Sequence, residues 1–513
     1  MKKIVSLSLC VLLLVGLLAG CVEDKSPYIP TGDGLNVDSI PTAPRPTGGV
    51  TEQRLSLTYY PEKTLNPYQT SDYTNRVLLP LMYQSLFQVH GDYTPVPILC
   101  SRYQMSRDCK SYTFYVEQAT FSDGTVLTAG DVVASLEAAR KSPVYSGRLH
   151  YVSAISATED GGVEIKLSTA YENLPMLLDI PIVKASEVDA QHPLGTGPYY
   201  WEENETGPRL VRRNDWWCQS DIAVTATYIS LVAAESNAQI RDIFDYGKIS
   251  LVCADPGSDL YVDYHSDYEL WGGENHIFLY IGCNAKSKVF KDQTLRQALT
   301  YVIDRDQLVE TYYRGFAQAT VLPASPQSPY YHKNLASNYG YDAQQFAQAV
   351  ADAQLEEGTS VVILVNKSDS RRVQVARAIA KMLTDCGLPA ETSELGSADY
   401  TKALKNGKYD LHLGQTVLSP NMDLSAFYDP SGALSFGGMS DAAILAICRE
   451  ALANSGNYYT LYQMVLEDAM LCPILFRSYA IYTQRGLFPD FAPAKDNLFC
   501  YSLGKTLEDV YQP

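Results

Sequence analysis

Hydrophobic and polar side chains alternate in short runs from residue 54 onward, which predicts β-strands separated by turns. The clearest runs are at residues 54–60, 110–116, 163–167 and 277–283. Apolar residues spaced three or four positions apart predict helices at residues 77–87, 132–140 and 295–309. Thr128 and Asp131 fit the start of the second helix, because each side chain can bond a free backbone amide of the first turn.

Residues 361–413 combine both patterns. A short apolar strand at 361–365 precedes a helix that Ser370 caps and that Gly387 ends, with one apolar face in between. Another short helix and a strand at 409–413 follow. Strands that alternate with helices predict an α/β region.

The first 50 residues have a different character. Two lysines precede an apolar run at residues 4–18, which is typical of an export signal and short for a membrane span. The run ends in Leu18-Ala19-Gly20-Cys21, which resembles the lipobox of bacterial lipoproteins; the other interpretation is a plain signal peptide with an unrelated cysteine. We expect Cys21 to carry the lipid, and residues 22–50, with five prolines and four glycines, to form a flexible tether.

The composition of the chain limits the classes of binding partner that we expect. The chain has 513 residues, enough for two or three domains, and 19% of them are charged. Its net charge of −18 disfavours nucleic acid or an anionic lipid surface as the main partner, because both require concentrated positive charge. Tyrosine is abundant, with 38 residues against 14 phenylalanines, and its ring and hydroxyl suit wet binding clefts.

The cysteines and common catalytic motifs give no sign of a metal, a cofactor or an enzyme. Of eleven cysteines, nine remain after signal removal and lipidation, and no Cys-x-x-Cys spacing indicates a zinc site. Cys100 and Cys109 are close enough in sequence to pair, whereas Cys253, Cys283 and Cys448 lie in apolar surroundings typical of buried thiols. No Gly-x-Ser-x-Gly, His-Glu-x-x-His or Gly-x₄-Gly-Lys motif occurs, so we predict no enzymatic activity and no cofactor.

Four aspartates recur at every fourth position, and they are Asp255, Asp259, Asp263 and Asp267. On a helix they would share one face, which suggests either calcium or a solvated acidic surface. The EF-hand spacing is absent and Pro256-Gly257 interrupts the first turn, which favours the acidic surface.

A series of short motifs carries a family resemblance. It runs through Thr64-Leu65-Asn66-Pro67, Phe121-Ser122-Asp123-Gly124-Thr125, Gly195-Thr196-Gly197-Pro198-Tyr199, Cys283-Asn284 and Leu295-Arg296-Gln297-Ala298-Leu299 with Ile303-Asp304-Arg305. Together with the lipobox, their order over some 450 residues resembles the extracytoplasmic solute-binding lipoproteins of ABC importers, in the oligopeptide/dipeptide/nickel-binding family.

The resemblance implies an α/β, two-lobed type II periplasmic-binding-protein fold, with an extra small domain inserted in the first lobe and two chain crossings between lobes. We expect the first lobe to comprise residues 51–92, 193–275 and 480–513, with residues 93–192 as the inserted domain. Residues 276–479 would form the second lobe. The protein would lie on the outer face of the bacterial cytoplasmic membrane, anchored by its lipid.

The expected function is capture of a solute, foremost a short peptide, in the inter-lobe cleft and its delivery to the permease subunits of an ABC importer. Alternatives are a surface-anchored enzyme with an unrecognised site, or the same scaffold binding a nickel chelate, haem or a sugar. Nickel would favour histidines near the cleft, for which His276 and His412 are the candidates.

Candidate ligand-binding residues are Asp423, Asn421, His276, Tyr59 and Tyr60. By resemblance, Asp423 matches an aspartate that holds the α-ammonium group of a bound peptide, although Leu424 replaces the usual tyrosine and the preceding tryptophan is missing. The other interpretation of Asp423 is a cap on a short helix beginning at Leu424. His276 directly precedes the strand expected to enter the second lobe, and Tyr59 and Tyr60 end the first strand.

Overall fold

The computed structural model describes residues 55–218, 225–488, 491–501 and 503–513. In chain order the strands are β1 (Leu55–Tyr59), β2 (Gln84–Ser85), β3 (Phe87–Val89), β4 (Pro95–Pro97), β5 (Cys100–Met105), β6 (Ser111–Val116), β7 (Val152–Ala157), β8 (Val163–Leu167), β9 (Pro181–Ile182), β10 (Tyr199–Asn204), β11 (Gly207–Arg212), β12 (Tyr228–Ala233), β13 (Leu251–Ala254), β14 (Tyr268–Cys283), β15 (Ala317–Ala319), β16 (Val361–Asn366), β17 (Ala390–Leu395), β18 (Leu411–Val417) and β19 (Leu471–Gln484).

The α-helices are α1 (Tyr73–Arg76), α2 (Leu79–Met82), α3 (Ala129–Ala139), α4 (Asn237–Asp245), α5 (Gln293–Val302), α6 (Arg305–Tyr313), α7 (Lys333–Ala336), α8 (Ala343–Asp352), α9 (Ser370–Asp385), α10 (Ser397–Asn406), α11 (Ser425–Tyr428), α12 (Ala442–Ala453), α13 (Tyr458–Asp468) and α14 (Leu507–Val510). Short 3₁₀ turns lie at Ser146–Leu149, Leu174–Leu177, Ala185–Glu187 and Ser455–Asn457.

Most strands belong to three larger sheets. A mixed sheet has the order β1-β12-β11-β10, and an antiparallel sheet has the order β5-β6-β8-β7. The largest sheet has the order β13-β19-β14-β18-β16-β17, with β15 paired to β19. Within it β16 is parallel to both β17 and β18, so the carboxyl ends of these three strands lie at one edge.

Two main hydrophobic clusters define what we call the first and second lobes. The cluster of the first lobe includes buried residues of β1, of the antiparallel sheet, of α3 and of residues 491–501 near the carboxyl terminus. The cluster of the second lobe surrounds the carboxyl half of β14 and strands β16 and β18, packed by helices such as α5, α9, α12 and α13. The domain boundaries given under Sequence analysis stay a prediction.

Strands β14 and β19 run side by side from one lobe into the other. The amino-terminal half of β14, residues 268–274, pairs with residues 478–484 of β19. The register then shifts, and residues 278–282 pair with residues 471–476. The shift leaves residues 275–277 outside the ladder, and His276 adopts a left-handed φ of 59°. The chain therefore passes between the lobes through two paired strands with one irregularity at the passage.

Several local predictions are confirmed. Strands occupy the runs predicted near residues 55–59, 111–116 and 163–167, and the strand predicted at 277–283 is the end of the longer β14. Helix α3 begins with both hydrogen bonds of the capping box, since Thr128 bonds the Asp131 amide and the Asp131 carboxylate bonds the Thr128 amide. The α/β alternation of residues 361–413 is also present.

Two helix predictions are wrong. Residues 77–87 form the single turn of α2 and then strands, because Pro80 lies in the first turn and residues 84–89 find strand partners in β9 and β4. Residues 295–309 are divided between α5 and α6, because Ile303 is extended and the Asp304 side chain caps α6.

Smaller corrections concern helix starts and thiols. Asp369, and not Ser370, caps α9, by accepting a hydrogen bond from the Arg372 amide. Cys100 and Cys109 are free thiols, so the suggested pairing is wrong. Cys21 and the tether lie outside the described residues. Within the described ranges, no helix combines the length and the apolar character needed to cross a membrane.

Candidate functional site between the lobes

The segment that follows β18 occupies a favourable place for a ligand site. Ligands of α/β sheets bind beyond the carboxyl ends of parallel strands, and β18 ends at this edge with residues 418–425 directly after it. The Leu418 amide donates a hydrogen bond to the His276 carbonyl at 2.9 Å. The segment is therefore fixed to β14 at the point where that strand passes between the lobes.

Asp423 lies in this segment with its two carboxylate oxygens in different roles. Oδ1 accepts hydrogen bonds from the Ser425 amide at 2.9 Å and from the Ser425 hydroxyl at 2.6 Å. Oδ2 lies 3.4 Å from Nε2 of His150, which comes from the first lobe. The Asp423 side chain is 6% exposed, whereas His150 is 47% exposed. Asp423 thus braces the turn before α11, which begins at Ser425 and not at Leu424, and its second oxygen faces the other lobe.

Tyr151 completes this contact from the first lobe. Its hydroxyl donates to the Ser425 hydroxyl at 2.8 Å, and its ring lies 3.7 Å from the His150 ring, centroid to centroid. Burial, followed by the charge of Asp423, raises the pKa of Tyr151 above the usual range of tyrosine. A carboxylate, two hydroxyls and an imidazole therefore meet where the lobes touch, a set of groups able to hold a cation with attached N–H donors.

Asn421 lies in the same segment but is buried. Its carbonyl oxygen accepts a hydrogen bond from the Tyr458 hydroxyl, and the Tyr458 ring stacks on Tyr330 with centroids 4.3 Å apart. The Asn421 side chain is 2% exposed, and among the described residues its Oδ1 has no hydrogen-bond partner. Tyr330 in turn meets Asn173 of the first lobe, at 3.4 Å. Asn421 is thus close to the lobe contact with its side chain turned inward, and its role in ligand binding stays a prediction.

His276 lies beneath the hairpin of β3 and β4. It is 8% exposed, and its ring is stacked on Tyr93 with centroids 5.0 Å apart and an angle of 14° between planes. Burial, assisted by the charges of Lys495 and Arg148, lowers its pKa well below the usual range of histidine. This environment therefore favours the neutral imidazole, and Tyr93 covers it.

Glu274 lies two residues before His276 on the same strand. The Tyr93 hydroxyl donates to Oε1 and the Ser325 hydroxyl donates to Oε2. Burial raises the pKa of Glu274 to about 7, although both hydrogen bonds and the charge of Lys495 act in the opposite direction. Within the part of the chain that the structure describes, this carboxyl group thus has hydroxyl neighbours and no ion pair.

Tyr59 and Tyr60 belong to another part of the first lobe. The Tyr60 hydroxyl donates to Asn237 at 2.8 Å, and the Tyr59 ring lies edge-on to Trp201 with centroids 5.9 Å apart. Among the described residues neither has a hydrogen bond or ring contact with the 418–425 segment. The structure does not bring these two tyrosines together with Asp423.

An ionic cluster of the first lobe lies near His276. Arg76 bonds Oδ1 of Asp496 at 2.6 Å, and Arg148 bonds Oδ2. Arg148 also donates to the Asp179 carbonyl at 2.9 Å, and Asn497 donates to the Asp179 carboxylate at 2.7 Å. The cluster ties residues 491–501 to the first lobe and brings positive charge close to His276.

The described residues contain no group of three or more side chains suited to hold a metal. His412 is 1% exposed and is packed so tightly against Gly282 that a Cβ there would lie 2.1 Å from its ring. The four regularly spaced aspartates do not share a helix, and each has its own partner, namely Arg477, Ser370, Arg314 and Arg485 in order. This arrangement excludes one calcium ion held by all four.

The partners that Asp423 and His276 acquire could not be predicted from the sequence. Tyr151 and Ser425 are 274 positions apart, and Tyr93 and Glu274 are 181 positions apart. No local pattern marks such pairs, because the topology of the two lobes alone brings them together.

Comparison with known proteins agrees with this architecture. The glutathione-binding protein GsiB of Salmonella typhi is 23% identical over 350 residues, which cover 65% of this chain and 67% of that protein. The ABC transporter substrate-binding protein CtaP of Listeria monocytogenes superposes with a TM-score of 0.71 at 17% identity, covering 90% of this chain and 99% of that one. A putative peptide-binding protein AppA of Clostridium difficile superposes with a TM-score of 0.70 at 18% identity, covering 87% of this chain and 98% of that one.

The fold is the two-lobed type II periplasmic-binding fold, as the resemblance implied. Proteins of this class are extracytoplasmic, bind peptides or other small solutes and work with the permeases of ABC importers. The family model for the middle region of these proteins matches residues 94–435, more than half of the chain. The chain therefore belongs to the bacterial extracellular solute-binding proteins, family 5.

Proposed function

We propose that this solute-binding protein captures a short peptide by closing its lobes, and that Asp423 holds the peptide's α-ammonium group. The main support is the position of the Asp423 carboxylate. This group is 6% exposed, and its Oδ2 faces the first lobe at the lobe contact. A peptide amino terminus presents up to three N–H donors, and the oxygens of Asp423, Ser425 and Tyr151 are the acceptors that such a group needs.

Burial makes this pairing strong. Hydrogen bonds between an ammonium and a carboxylate are roughly twice as strong as neutral ones, and exclusion of water between closed lobes strengthens them further. His150 occupies the free side of Asp423 at 3.4 Å and is largely accessible. A bound ammonium would compete with His150 for Oδ2, so we expect the imidazole to turn away when the ligand binds.

The relatives matched by sequence support a peptide, whereas the solved structures with this fold include both peptide-binding and nickel-transport proteins. The matched GsiB proteins are glutathione-binding by name, and the AppA neighbour is a putative peptide-binding protein. A nickel chelate would require an accessible histidine. The two candidates from the sequence, His276 and His412, are both buried, and His150 is the accessible histidine at the lobe contact. Mass spectrometry of the small molecules that co-purify with the protein would identify haem or a sugar, and product formation would identify an enzyme with an unrecognised site.

The test compares a peptide that has a free amino terminus with its acetylated form, by calorimetric titration. We expect acetylation to abolish the ammonium contact. We expect Asp423→Asn to lower the affinity for the free peptide by about 30-fold or more, since removing one partner of a buried pair costs about 2–5 kcal/mol. The variant should no longer distinguish the two forms.

Asp429→Asn is the matched control. Asp429 makes the same two hydrogen bonds to Ser431 that Asp423 makes to Ser425, at 2.8 and 2.6 Å, but its ion pair is with Arg449 of α12 within the second lobe. The Asp429→Asn variant should bind the free peptide with the affinity of the native protein. Equal binding of the free and acetylated peptides by the native protein would show that no ammonium is recognised.

We also propose that Cys21 carries a lipid that anchors the protein outside the cytoplasmic membrane. Support comes from the apolar run and the Leu-Ala-Gly-Cys sequence that ends it. Cys21→Ser should move the protein from the membrane fraction to the soluble extracytoplasmic fraction, measured by fractionation and blotting. A variant that stays fully membrane-bound would contradict the lipid anchor.

A further inference from the structure

The tip of the hairpin formed by β3 and β4 reaches from the first lobe into the second. Its turn is closed by hydrogen bonds between His90 and Thr94 and between Tyr93 and His90. Phe87 at the base of the hairpin belongs to the hydrophobic cluster of the first lobe. Tyr93 at the tip is 1% exposed and belongs to the cluster of the second lobe. This residue therefore links the two hydrophobic clusters.

Tyr93 contacts the crossing strand through both parts of its side chain. The ring covers His276, and the hydroxyl donates to Glu274, which also accepts from Ser325 of the second lobe. A separation of the lobes that lifts the hairpin would expose Glu274 and His276 together.

The backbone at both sides of this contact is strained. Tyr93 has a φ of 66° and His276 has a φ of 59°. Few residues other than glycine adopt this region, which histidine tolerates better than tyrosine does. Such conformations persist only where the surrounding contacts hold them, and they cluster at clamps and switches. Each residue is held by one backbone hydrogen bond, Tyr93 to His90 and Leu418 to His276, and the two are joined across the lobes by ring stacking.

We propose that Tyr93, Glu274 and His276 form a catch that holds the lobes closed and makes closure nearly independent of pH. The proposal rests on capture by lobe closure, as proposed above, but not on the identity of the ligand.

Glu274 and His276 respond to pH in opposite directions. Burial raises the pKa of Glu274 to about 7 in the closed arrangement, against hydrogen bonds from Tyr93 and Ser325 and the charge of Lys495. Opening returns the carboxyl group to its ordinary pKa of 4.5. Proton loss therefore favours the open state, so the contribution of Glu274 to closure declines from about pH 4.5 to pH 7.

The imidazole gives the opposite slope. Burial, with the charges of Lys495 and Arg148 and against that of Asp496, keeps the pKa of His276 well below its ordinary 6.5. Opening allows the imidazole to protonate, so a fall in pH below 6.5 favours the open state. Between about pH 5 and 6.5 the two slopes oppose each other, so their sum changes little there.

The test measures hydrogen exchange in the intact protein, without added ligand, at pH 5.5 and 7.5. Protection factors are corrected for the intrinsic pH dependence of exchange and followed in residues 90–94 and 274–277. One pH unit is equivalent to a tenfold change per titrating group. In the Glu274→Gln variant, protection should therefore be about tenfold higher at pH 7.5 than at pH 5.5. In the His276→Asn variant, protection should be about 20-fold lower at pH 7.5 than at pH 5.5. In the native protein, protection at the two pH values should differ by only about twofold.

Asparagine is chosen at position 276 because it tolerates positive φ. Tyr93→Phe should reduce protection at both pH values and enlarge the radius of gyration in small-angle scattering. Its matched control is Tyr115→Phe, whose hydroxyl also bonds a carboxylate, Asp160 at 2.6 Å, but within the antiparallel sheet of the first lobe; this variant should behave as native.

Equal pH slopes in Glu274→Gln and His276→Asn would overturn the proposal. So would Tyr93→Phe with native protection and a native radius of gyration. If Glu274→Gln fails to fold, as judged by circular dichroism, the His276→Asn slope and the Tyr93 and Tyr115 comparison still decide the matter.

Discussion

Asp496 in the first lobe and Glu274 on the crossing strand are both buried carboxyl groups, yet their pKa values move in opposite directions. The side chain of Asp496 is 7% exposed, and Lys495, Arg76 and Arg148 hold its pKa well below the ordinary 3.8 in spite of burial. Glu274 is also 7% exposed, but its contacts are hydroxyls, and burial raises its pKa to about 7.

The difference shows what each contact is suited to do. Asp496 remains an anion because two guanidinium groups contact it, and separation of these groups would leave a buried charge without a partner. The pair therefore suits a permanent connection, here between residues 491–501 and the rest of the first lobe. Glu274 can become neutral, so its contact with Tyr93 can form and break without that cost. A neutral catch is appropriate where two lobes must separate.

The largest expected effect comes from removal of the charge in the permanent contact. Asp496→Asn should lower the free energy of unfolding by about 3–5 kcal/mol, because Arg76 and Arg148 would be left without their carboxylate. Urea unfolding at neutral pH measures this. Asp263→Asn is the control, since its pair with Arg314 is exposed and should contribute less than about 1 kcal/mol. Equal losses in both variants would remove the contrast.

Acid should reveal the same interaction. A depressed pKa contributes stability that is present above the ordinary value of 3.8 and is lost as pH falls through the lower, folded-state value. We therefore expect the difference in unfolding free energy between the native protein and Asp496→Asn to shrink below about pH 3.8. A difference that stays constant under acid would indicate that the variant perturbs packing and not charge.

A smaller effect is expected at the catch. Ser325→Ala removes one of the two hydroxyl donors to Glu274 and should cost about 1 kcal/mol of unfolding free energy, the usual net contribution of one hydrogen bond. The pKa of Glu274 should rise further, since that hydrogen bond lowers it. An upward shift in the pH at which His276→Asn loses exchange protection measures the rise. Ser368→Ala, at an exposed serine, serves as control.

Local sequence patterns predicted local structure well. The Thr128–Asp131 capping box and the strands at 55–59, 111–116 and 163–167 depend on neighbouring residues, and all are present. Helix predictions failed where remote partners or a single cap decided the outcome: strands β9 and β4 for residues 84–89, and Asp304 for the break between α5 and α6.

The candidate site could be predicted only as a place along the chain. The family resemblance, together with the place after the α/β segment 361–413, predicts Asp423, which lies in the segment that follows β18. That Asp423 meets His150 and Tyr151, and that Tyr93 covers His276, depends on which lobes face each other. Tyr59 and Tyr60 show the same limit, because a tyrosine in a strand carries no sign of which surface it will face.

The central claim is that the lobes close on a peptide with a free amino terminus. The most direct measurement is mass spectrometry of the small molecules that the protein, purified under native conditions, releases on denaturation. Short peptides with unmodified amino termini should be enriched over an Asp423→Asn preparation made in parallel. A nickel chelate, haem or a sugar as the main released species, in equal amounts from both preparations, would contradict the claim.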